Sequence, residues 1–369
     1  MSEQVQRIIG KRIRMAREVL GLTQENLSAK VGFKDRQILS NIESGRRAVS
    51  ADELVEFAEA LKRPLEFFTD TFSLAGEAAF SWRAKEAESG LLEEFEEKAG
   101  NWLAVYRRIS EQMGEKFSPL SPKLNLTHND TYAEADQAGA DLAQAWELGD
   151  APALRLRQEA EQRLGVLVLA VDAPRSISGA ACRLPEFNAI LVNRQDPAGR
   201  RNYDFAHELF HVLTWDSLPP RHRDLEGTPK KYKDKRTETL ADNFAAGLLM
   251  PKAVFEKYWQ EYCDSEVHTR LIKLAEEFGV TAQAVRYRAQ NLKLLSAQEK
   301  AEIADHRLTG AGPKDGPPPP FSRRFVEKLG WALEKGRLSI RRAAQLLGLT
   351  TDELRELFVA HGLEAPFEV

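Results

Sequence analysis

Residues 204–213, DFAHELFHVL, constrain the fold more than any other segment. Two histidines stand four positions apart among apolar residues, and a glutamate directly follows the first. On an α-helix, residues four apart lie on one face, so His207 and His211 can reach a single metal ion while Glu208 faces the same point. The five-residue pattern also recurs in unrelated helices. A zinc site therefore needs a third ligand from elsewhere in the chain.

The third ligand has several candidates. The metzincin pattern requires a histidine six positions after His211, but that residue is Ser217. His222 lies in the loop LPPRHRD, where a ligand would be poorly held. In TETLADNFAAGLLMP, which has apolar residues at helical spacing, Glu238 and Asp242 stand four apart and can point at the same place. One carboxylate can bind zinc while the other orients a ligand histidine, which is the gluzincin arrangement.

The segments AHELFHVL and ETLADNFAAGLLMP together resemble the ImmA/IrrE family of bacterial metallopeptidases. The flanking pieces SGA, ILVN and RRNYDFAHE extend the resemblance over roughly residues 150–260. Members of that family are associated with cutting repressors that carry helix-turn-helix domains. The resemblance therefore implies a protein substrate of this kind.

The resemblance also implies the roles of the site residues. It implies that His207, His211 and Glu238 bind one Zn²⁺ per chain and that Glu208 is the general base. Asp242 is then left to orient a ligand histidine. No oxyanion donor is assigned, and Tyr203, His222 and Arg223 are candidates only because they are near in sequence.

The N-terminal region predicts five helices. The stretch IGKRIRMAREVLG has apolar residues at helical spacing and ends at Gly21. Thr23 can cap a short second helix, QENLSAKVG, and the turn GFKD leads to a third helix at 35–43. Ser50 then caps ADELVEFAEALKRPLEFF, which supplies two more apolar stripes. Two short helices around a tight turn predict a helix-turn-helix, whose second helix enters the major groove.

This N-terminal region resembles the Xre-type helix-turn-helix family over about residues 7–70. It shares the T-Q-x-x-L and S-x-x-E-x-G-R patterns and the closing LKRPLEFF. The resemblance implies a double-stranded DNA operator as partner. The residues it implies for DNA contact are Arg36, Gln37 and Asn41 at base edges, and Gln24 with Arg46 or Arg47 at phosphates. A helical protein-interaction module without DNA affinity is the alternative.

Charge is distributed unevenly along the chain, although the net charge is only -4. Residues 1–47 have ten basic and five acidic side chains, a net of +5, whereas residues 51–100 have five basic and thirteen acidic ones, a net of -8. A basic segment confined to the N-terminus suits nucleic-acid binding, although it is also compatible with a solvated helix face.

The sequence predicts a mainly α fold with a small β-sheet. Its expected parts are a helix-turn-helix domain at 1–70, a helical connector at 71–150, a zincin-like α+β peptidase domain at 151–300, a Pro/Gly linker at 301–320 and a C-terminal helical module at 321–369. Two β-type runs, GVLVLAVD and NAILVN, precede the histidine helix. We expect NAILVN to border the cleft and to pair with an extended substrate as an added strand. The tail SIRRAAQLLGLTTDELREL predicts either a second helix-turn-helix or a dimerisation module.

The composition indicates where in the cell the protein is expected and what its cysteines are expected to do. No apolar run approaches the roughly 20 residues that cross a bilayer, and the N-terminus has no signal-type apolar core. We therefore expect a cytoplasmic protein without a membrane partner. The two cysteines, Cys182 and Cys263, are far apart, which argues against a disulfide framework or a thiolate zinc site.

Two functions fit this sequence. In the first, the protein is a DNA-associated zinc endopeptidase that regulates transcription by cleaving a repressor or another regulator, in response to stress or to phage or mobile-element signals. In the second, it is a transcriptional regulator, and its peptidase-like domain senses a ligand or metal without proteolysis. The intact H-E-x-x-H with Glu238 favours the first, because a sensor needs no general base. A palindromic operator would suit a homodimer.

Overall fold

The computed structural model of the chain describes residues 3–74, 77–84, 89–117, 123–220, 223–225 and 232–368. Helices dominate, and a small sheet lies in the middle of the chain, as the sequence predicts. Among these residues, no helix combines the length and the apolar character that a bilayer crossing requires.

The first part of the chain folds into the predicted helical unit. Its helices are α1 (Glu3–Val19), α2 (Gln24–Lys30), α3 (Arg36–Glu43), α4 (Ala51–Leu61) and α5 (Leu65–Thr69). The Thr23 side chain caps α2 by accepting a hydrogen bond from the Asn26 amide, and Ser50 forms a capping box with Glu53 at the start of α4. These local signals explain why the sequence predicted these helix boundaries.

The strands of the described residues all lie in the middle of the chain. They are β1 (Ala79–Ala84), β2 (Leu167–Val171), β3 (Ile177–Arg183), β4 (Asn188–Asn193) and β5 (Arg223–Leu225). The helices that accompany them are α6 (Ser89–Gln112), α7 (Tyr132–Ala145), α8 (Leu156–Leu164), α9 (Ala198–Thr214), α10 (Tyr232–Leu249), α11 (Lys252–Glu261), α12 (Val267–Phe278), α13 (Ala282–Asn291), α14 (Ala297–Glu302) and α15 (Asp305–Leu308), with a 3-10 turn at Pro152–Leu154.

The order of the strands corrects one prediction about β4, which is the segment NAILVN. The sheet runs β2-β4-β3-β1-β5, with β4 parallel to β2 and antiparallel to β3. Both edges of β4 are thus hydrogen-bonded within the sheet. The expectation that a substrate strand pairs with NAILVN is therefore wrong, because an interior strand has no free backbone groups to offer.

Strand β1 is the second difference from the sequence prediction, which gave a helical connector over residues 71–150. It pairs antiparallel with β3, from Ala79 opposite Arg183 to Arg83 opposite Gly179, and parallel with β5. The Trp82 side chain is fully buried, and its indole N–H donates to a Glu96 carboxylate oxygen on α6, 2.6 Å away. Part of the expected connector is therefore part of the sheet.

The two faces of the sheet are covered by different helices. Along β4, Ile190 and Val192 face one core with α9, α10 and α7, whereas Ala189 and Leu191 face another. The second core is formed with α6 and the three C-terminal helices, α16 (Arg323–Glu334), α17 (Ile340–Leu347) and α18 (Thr351–Ala360). Alternate residues of each strand point to opposite faces, so the apolar run of β4 reflects burial on both sides.

The proline-rich segment before α16 lies against the sheet. The sequence predicted a Pro/Gly linker, but the Arg201 side chain donates to the Gly316 carbonyl at 3.0 Å and Arg194 donates to the Pro318 carbonyl at 2.7 Å. The Phe321 amide then donates to the Ala170 carbonyl of β2 at 2.6 Å. This segment therefore fastens the C-terminal helices to the sheet instead of separating them.

A buried arginine joins the N-terminal helices to the sheet region. The fully buried Arg12 side chain of α1 donates to backbone carbonyls within α5 and just after it, and it contacts the Glu77 carboxylate at 3.4 Å. Glu77 is also 4.0 Å from Arg107 on α6. On a second side, Arg342 of α17 contacts Asp70 at 2.6 Å. The helix-turn-helix unit is thus held by charged contacts to α6 and α17.

Helices α7 and α10 pack with their backbones in contact. A Cβ atom at Gly247 would lie 2.0 Å from the Asp136 carbonyl oxygen. We expect Gly247→Ala to lower the free energy of unfolding by about 3 kcal/mol or more, because overpacking of a tight contact forces the backbones apart. Gly90→Ala on α6 is the matched control, since among the described residues nothing outside its own helix lies within 4 Å of its added Cβ. Equal thermal unfolding midpoints for the two variants would contradict this packing.

Candidate metal centre

Helices α9 and α10 bring the predicted metal ligands together. His207 and His211 lie one turn apart on α9, and Glu238 lies on α10. The two helices pack through Phe210 and Phe244, whose ring centroids are 5.5 Å apart. This contact places the carboxylate-bearing turn of α10 opposite the histidine-bearing turns of α9.

The three side chains form a compact cluster. The Nε2 atoms of His207 and His211 are 3.1 Å apart, and Glu238 Oε2 lies 3.1 Å from His207 Nε2. Glu238 Oε1 lies 3.5 Å from His211 Nε2. One ligand atom from each residue lies within 4.8 Å of the other two. The sequence proposed these three residues as ligands, and the structure places them at one point.

The donor set fits a zinc ion. Two nitrogens, each about 2.05 Å from one tetrahedral Zn²⁺, are about 3.3 Å apart, close to the observed separation of His207 and His211. Two imidazoles and one carboxylate are the ligands of many catalytic zinc sites, which leave a fourth position for water or substrate. His207 and His211 are also at most 2% exposed, so bulk water competes little for their nitrogens.

Asp242 stands behind His207. Its Oδ1 atom lies 2.9 Å from His207 Nδ1, the ring nitrogen on the far side from Glu238. Burial and the nearby Arg83 both lower the pKa of His207, but the contacts with Asp242 and Glu238 outweigh them and raise this pKa to about 10. Partial burial opposes ionisation of Asp242 as well, yet the contact with His207 holds the Asp242 pKa below its usual value. Asp242 therefore fixes the orientation of the His207 ring.

Glu208 lies between α9 and β3. It is 1% exposed, and a Cβ at Gly179 would lie 3.6 Å from Glu208 Cγ and 2.9 Å from the Leu191 carbonyl. Glycine at 179 therefore avoids a close contact with the backbone of β4, and the Glu208 side chain packs beside it at van der Waals distance. Burial raises the pKa of Glu208 even though both histidines of the cluster oppose this shift. Among the described residues, Glu208 Oε2 has no hydrogen-bond partner. A buried carboxyl group with a free oxygen is suited to accepting and returning a proton.

Arg83 also belongs to this site, although its sequence position did not predict it. Its guanidinium nitrogens lie 3.3 Å from Asp204 Oδ1 and 3.8 Å from Asp242 Oδ1. Burial lowers the pKa of Arg83, but the surrounding carboxylates outweigh it and raise that pKa. The signal in the sequence is the alternation of aromatic and polar residues in FSWRA. Phe80 and Trp82 face one core, so the basic residue that follows Trp82 points to the opposite face of the strand. A cation on the inner face of a buried strand indicates a carboxylate partner.

The other residues near the cluster have specific positions. The Tyr203 hydroxyl donates to the backbone carbonyl of Asp242 at 2.9 Å, and burial raises the Tyr203 pKa. His222 lies outside the described residues, and Arg223 is described only through the backbone of β5. A cleft of about 750 Å³, lined in part by Arg83, Tyr203 and Asp242, opens beside this side of the cluster.

Helix α3 carries the residues proposed to meet base edges. Arg36 and Gln37 are exposed, and Asn41 is half-exposed one turn further along. Gln37 Nε2 is 3.4 Å from Asn41 Oδ1, which shows that the two side chains share a face. Asp35 caps the helix by accepting a hydrogen bond from the Gln37 amide at 2.8 Å. The outward face of α3 is thus polar, as the sequence predicts.

The residues proposed to meet phosphates differ in their contacts. Gln24 donates to Glu43 at 2.8 Å, and Arg47 is paired with Glu53 at 2.6 Å. Arg46 is exposed, and its Nε donates to the Ser44 hydroxyl at 2.9 Å. Contact with DNA would therefore require Gln24 and Arg47 to share or exchange their present partners.

Known proteins resemble parts of the chain. An "Uncharacterized transcriptional regulator in ATPase CF(0) region" from Rhodospirillum rubrum is 38% identical over 60 residues, which cover 16% of this chain and 55% of that protein. The chain thus spans about half the length of this curated relative. The solved structures of Bacillus thuringiensis PlcR in complex with the peptide PapR7 and DNA, and of the apo competence regulator ComR from Streptococcus vestibularis, are 14% and 11% identical.

These two structural alignments cover 96% and 83% of this chain and 93% and 92% of those chains, but both have a TM-score of 0.17. Scores this low do not support a shared fold. Two family models match with defined ranges, a helix-turn-helix model over residues 13–68 and the M78 peptidase model, described as an IrrE N-terminal-like domain, over residues 161–290. The chain therefore combines a helix-turn-helix domain with an IrrE N-terminal-like domain of the M78 peptidase family, and the latter contains the whole His207, His211 and Glu238 cluster.

Proposed function

We propose that the protein is a DNA-associated, zinc-dependent endopeptidase that acts in transcriptional regulation. The observation that carries this proposal is the buried cluster of His207, His211 and Glu238 with Glu208 beside it, in a chain that also has a helix-turn-helix domain. Burying a carboxyl group with an unpaired oxygen is unfavourable for folding, so such a group points to a chemical role.

The proposed site holds one zinc ion per chain. His207 and His211 would bind it through their Nε2 atoms, and Glu238 through its carboxylate. When bound, zinc lowers the pKa of a coordinated water toward about 7 and polarises a peptide carbonyl. Asp242 keeps the His207 ring turned so that its Nε2 faces the cluster.

Glu208 supplies the proton transfers in this proposal. Its free Oε2 accepts a proton as water attacks the peptide carbonyl, and the same oxygen returns the proton to the leaving amine. Burial favours the protonated form of Glu208, which makes its carboxylate a stronger base than an exposed one. This side chain packs beside Gly179 of β3.

The proposed substrate is an exposed, extended segment of another regulatory protein, such as the linker of a helix-turn-helix repressor. The resemblance to ImmA/IrrE peptidases supports this class of substrate, and so does the helix-turn-helix domain of the chain. A peptidase tethered to DNA has a high effective concentration near any protein bound at the same operator. Proximity at the operator would then relax the need for a strict cleavage sequence.

Cleavage can be tested with regulators encoded near the gene of this protein. Each is incubated with the zinc-loaded protein, and fragments are identified by mass spectrometry. We expect defined fragments that disappear with a zinc chelator and return when zinc is restored. Fragments that persist in excess chelator would show that the cut does not come from this site.

We further infer that the helix-turn-helix domain binds a palindromic or repeated double-stranded operator, which places the protein in the cytoplasm and suits a homodimer. The exposed polar face of α3 supports base contacts by Arg36, Gln37 and Asn41. Arg46, which extends from the turn after α3, supports a phosphate contact.

Base and phosphate contacts predict different variant effects. We expect Gln37→Ala to weaken operator binding by about 1–3 kcal/mol without changing binding to random duplex. Arg46→Ala should weaken binding to both duplexes and reduce the salt dependence by about one charge. Fluorescence anisotropy of the full chain over a range of salt concentrations measures both effects. Lys252→Ala, an exposed change on α11, is the control. A loss of specificity without loss of affinity in Arg46→Ala would reverse the assignment.

One observation favours a second function, transcriptional regulation by a metal or ligand sensor without proteolysis. His207, Glu208 and His211 are at most 2% exposed, and β1 occupies the edge of β3 next to them. A sensor needs no access for a polypeptide. Gene control that is unchanged in Glu208→Gln, with no fragment from any tested regulator, would favour this second function.

A further inference from the structure

We propose that Arg83 is a positioning residue that fixes Asp242 and, through it, the ring of His207. Arg83 lies on β1, outside the segment that matches the peptidase family, so the metal centre would depend on a part of the chain that the family model does not include. The inference rests on the proposed zinc site.

Arg83 bridges the two helices that carry the ligands. One guanidinium nitrogen lies 3.3 Å from Asp204 on α9, and another lies 3.8 Å from Asp242 on α10. Asp204 is 3% exposed, whereas the Asp242 side chain is 47% exposed. The same Oδ1 atom of Asp242 faces both Arg83 and His207 Nδ1. A cation at this point therefore favours the rotamer in which Asp242 reaches His207.

The backbone of β1 holds Arg83 firmly. Arg83 pairs with Gly179 of β3, the residue against which Glu208 packs. On the opposite face, the Trp82 ring is fully buried and stacks on Phe80 with centroids 5.3 Å apart. The paired backbone therefore fixes the point from which the Arg83 side chain reaches Asp204 and Asp242.

Charge balance gives a second reason for this role. Arg83 interacts favourably with four carboxylates around the site, those of Asp204, Asp242, Glu208 and Glu238. Without it, repulsion from the remaining carboxylates would turn the half-exposed Asp242 toward solvent. The His207 ring would then lose the hydrogen bond that orients it, and such losses reduce metal affinity by about 10–100-fold.

The nearby Arg200 provides a matched control. It contacts Asp204 at 3.4 Å and Asp196 at 3.9 Å, so it belongs to the same group of charges. The described contacts of Arg200 do not extend to Asp242. If a general loss of positive charge around α9 weakened zinc binding, Arg200→Gln and Arg83→Gln would weaken it alike. If positioning of Asp242 is the cause, Arg83→Gln should weaken zinc binding and Arg200→Gln should not.

A double-mutant cycle on zinc affinity tests the proposal. The full chain is titrated against a chromogenic zinc chelator as wild type, Arg83→Gln, Asp242→Asn and the double variant. We expect each single change to weaken zinc binding by about 10–100-fold, and the double variant to be no weaker than Asp242→Asn. Arg200→Gln should remain within about threefold of wild type. In the cobalt-substituted protein, Arg83→Gln should alter the visible absorption bands, which report ligand geometry.

The outcomes separate this proposal from the proposed function. Wild-type zinc affinity in Arg83→Gln, or additive losses in the double variant, would overturn the role of Arg83 while leaving the zinc site in place. Wild-type protein that binds no zinc would overturn the proposed function itself. If Arg83→Gln does not fold, the cycle is run with Arg83→Lys, whose compact ammonium cannot span two carboxylates as a guanidinium does. The same comparison of the single and double variants then applies.

Discussion

His207→Ala and His211→Ala are each expected to leave the purified protein without stoichiometric zinc. The wild type should hold about one ion per chain, bound by two imidazoles and the Glu238 carboxylate. Loss of one of three protein ligands should weaken binding more than the 10–100-fold effect of changing a residue behind a ligand, so about 1000-fold or more is expected. Zinc content after dialysis, measured by atomic emission, gives the result directly.

A matched variant separates the loss of a ligand from the loss of a histidine. His306 is exposed on α15 and is absent from the cluster, so His306→Ala should keep one zinc per chain. Glu238→Ala should also weaken binding. Stoichiometric zinc in a His207→Ala, His211→Ala double variant would show that the ion binds elsewhere.

Glu208→Gln is expected to keep zinc and to lose cleavage. Glutamine fills nearly the same volume as glutamate beside Gly179, so the packing of α9 on the sheet is preserved. It cannot take up and return a proton, and removal of a general base slows a reaction by about 10²–10⁴-fold. The measurement compares fragment formation per hour by wild type and variant at equal zinc content.

The control for this second prediction is zinc content itself. A variant that lost both zinc and activity would not test Glu208 as a base. Loss of activity at full zinc occupancy would instead assign Glu208 a direct role in the reaction. Wild-type cleavage rates in Glu208→Gln would remove Glu208 from the mechanism. Operator binding should be the same in both proteins, because Glu208 is not among the residues proposed to contact DNA.

Local signals made much of the fold predictable. Caps such as Thr23 and Ser50 mark helix starts within a few residues, and the four-residue spacing of His207 and His211 sets their common face whatever surrounds the helix. Glu238 could be proposed because it also lies on a helix with an apolar face. All of these features depend on residues near one another in sequence.

Features that depend on distant pairing escaped prediction. Strand β1 forms because β3, far along the chain, offers it an edge, and Arg83 has meaning only once Asp204 and Asp242 are beside it. β3 itself is rich in small residues with weak strand preference, as its segment SGAAC shows. The apolar run of β4 could belong to an edge or an interior strand, and sequence alone did not decide between them.

The two covered faces of the sheet set a limit on how this protein can recombine in evolution. The matched segment 161–290 contains β2, β3 and β4 but neither β1 nor the helices α6 and α16–α18 that bury one face of the sheet. Transferred alone to another gene, it would expose that apolar face and leave the edge of β3 unpaired, and both features promote aggregation. The inheritable unit is therefore longer than the recognisable domain. A gene that acquires segment 161–290 must either supply a substitute for β1 or also acquire the residues before and after this segment.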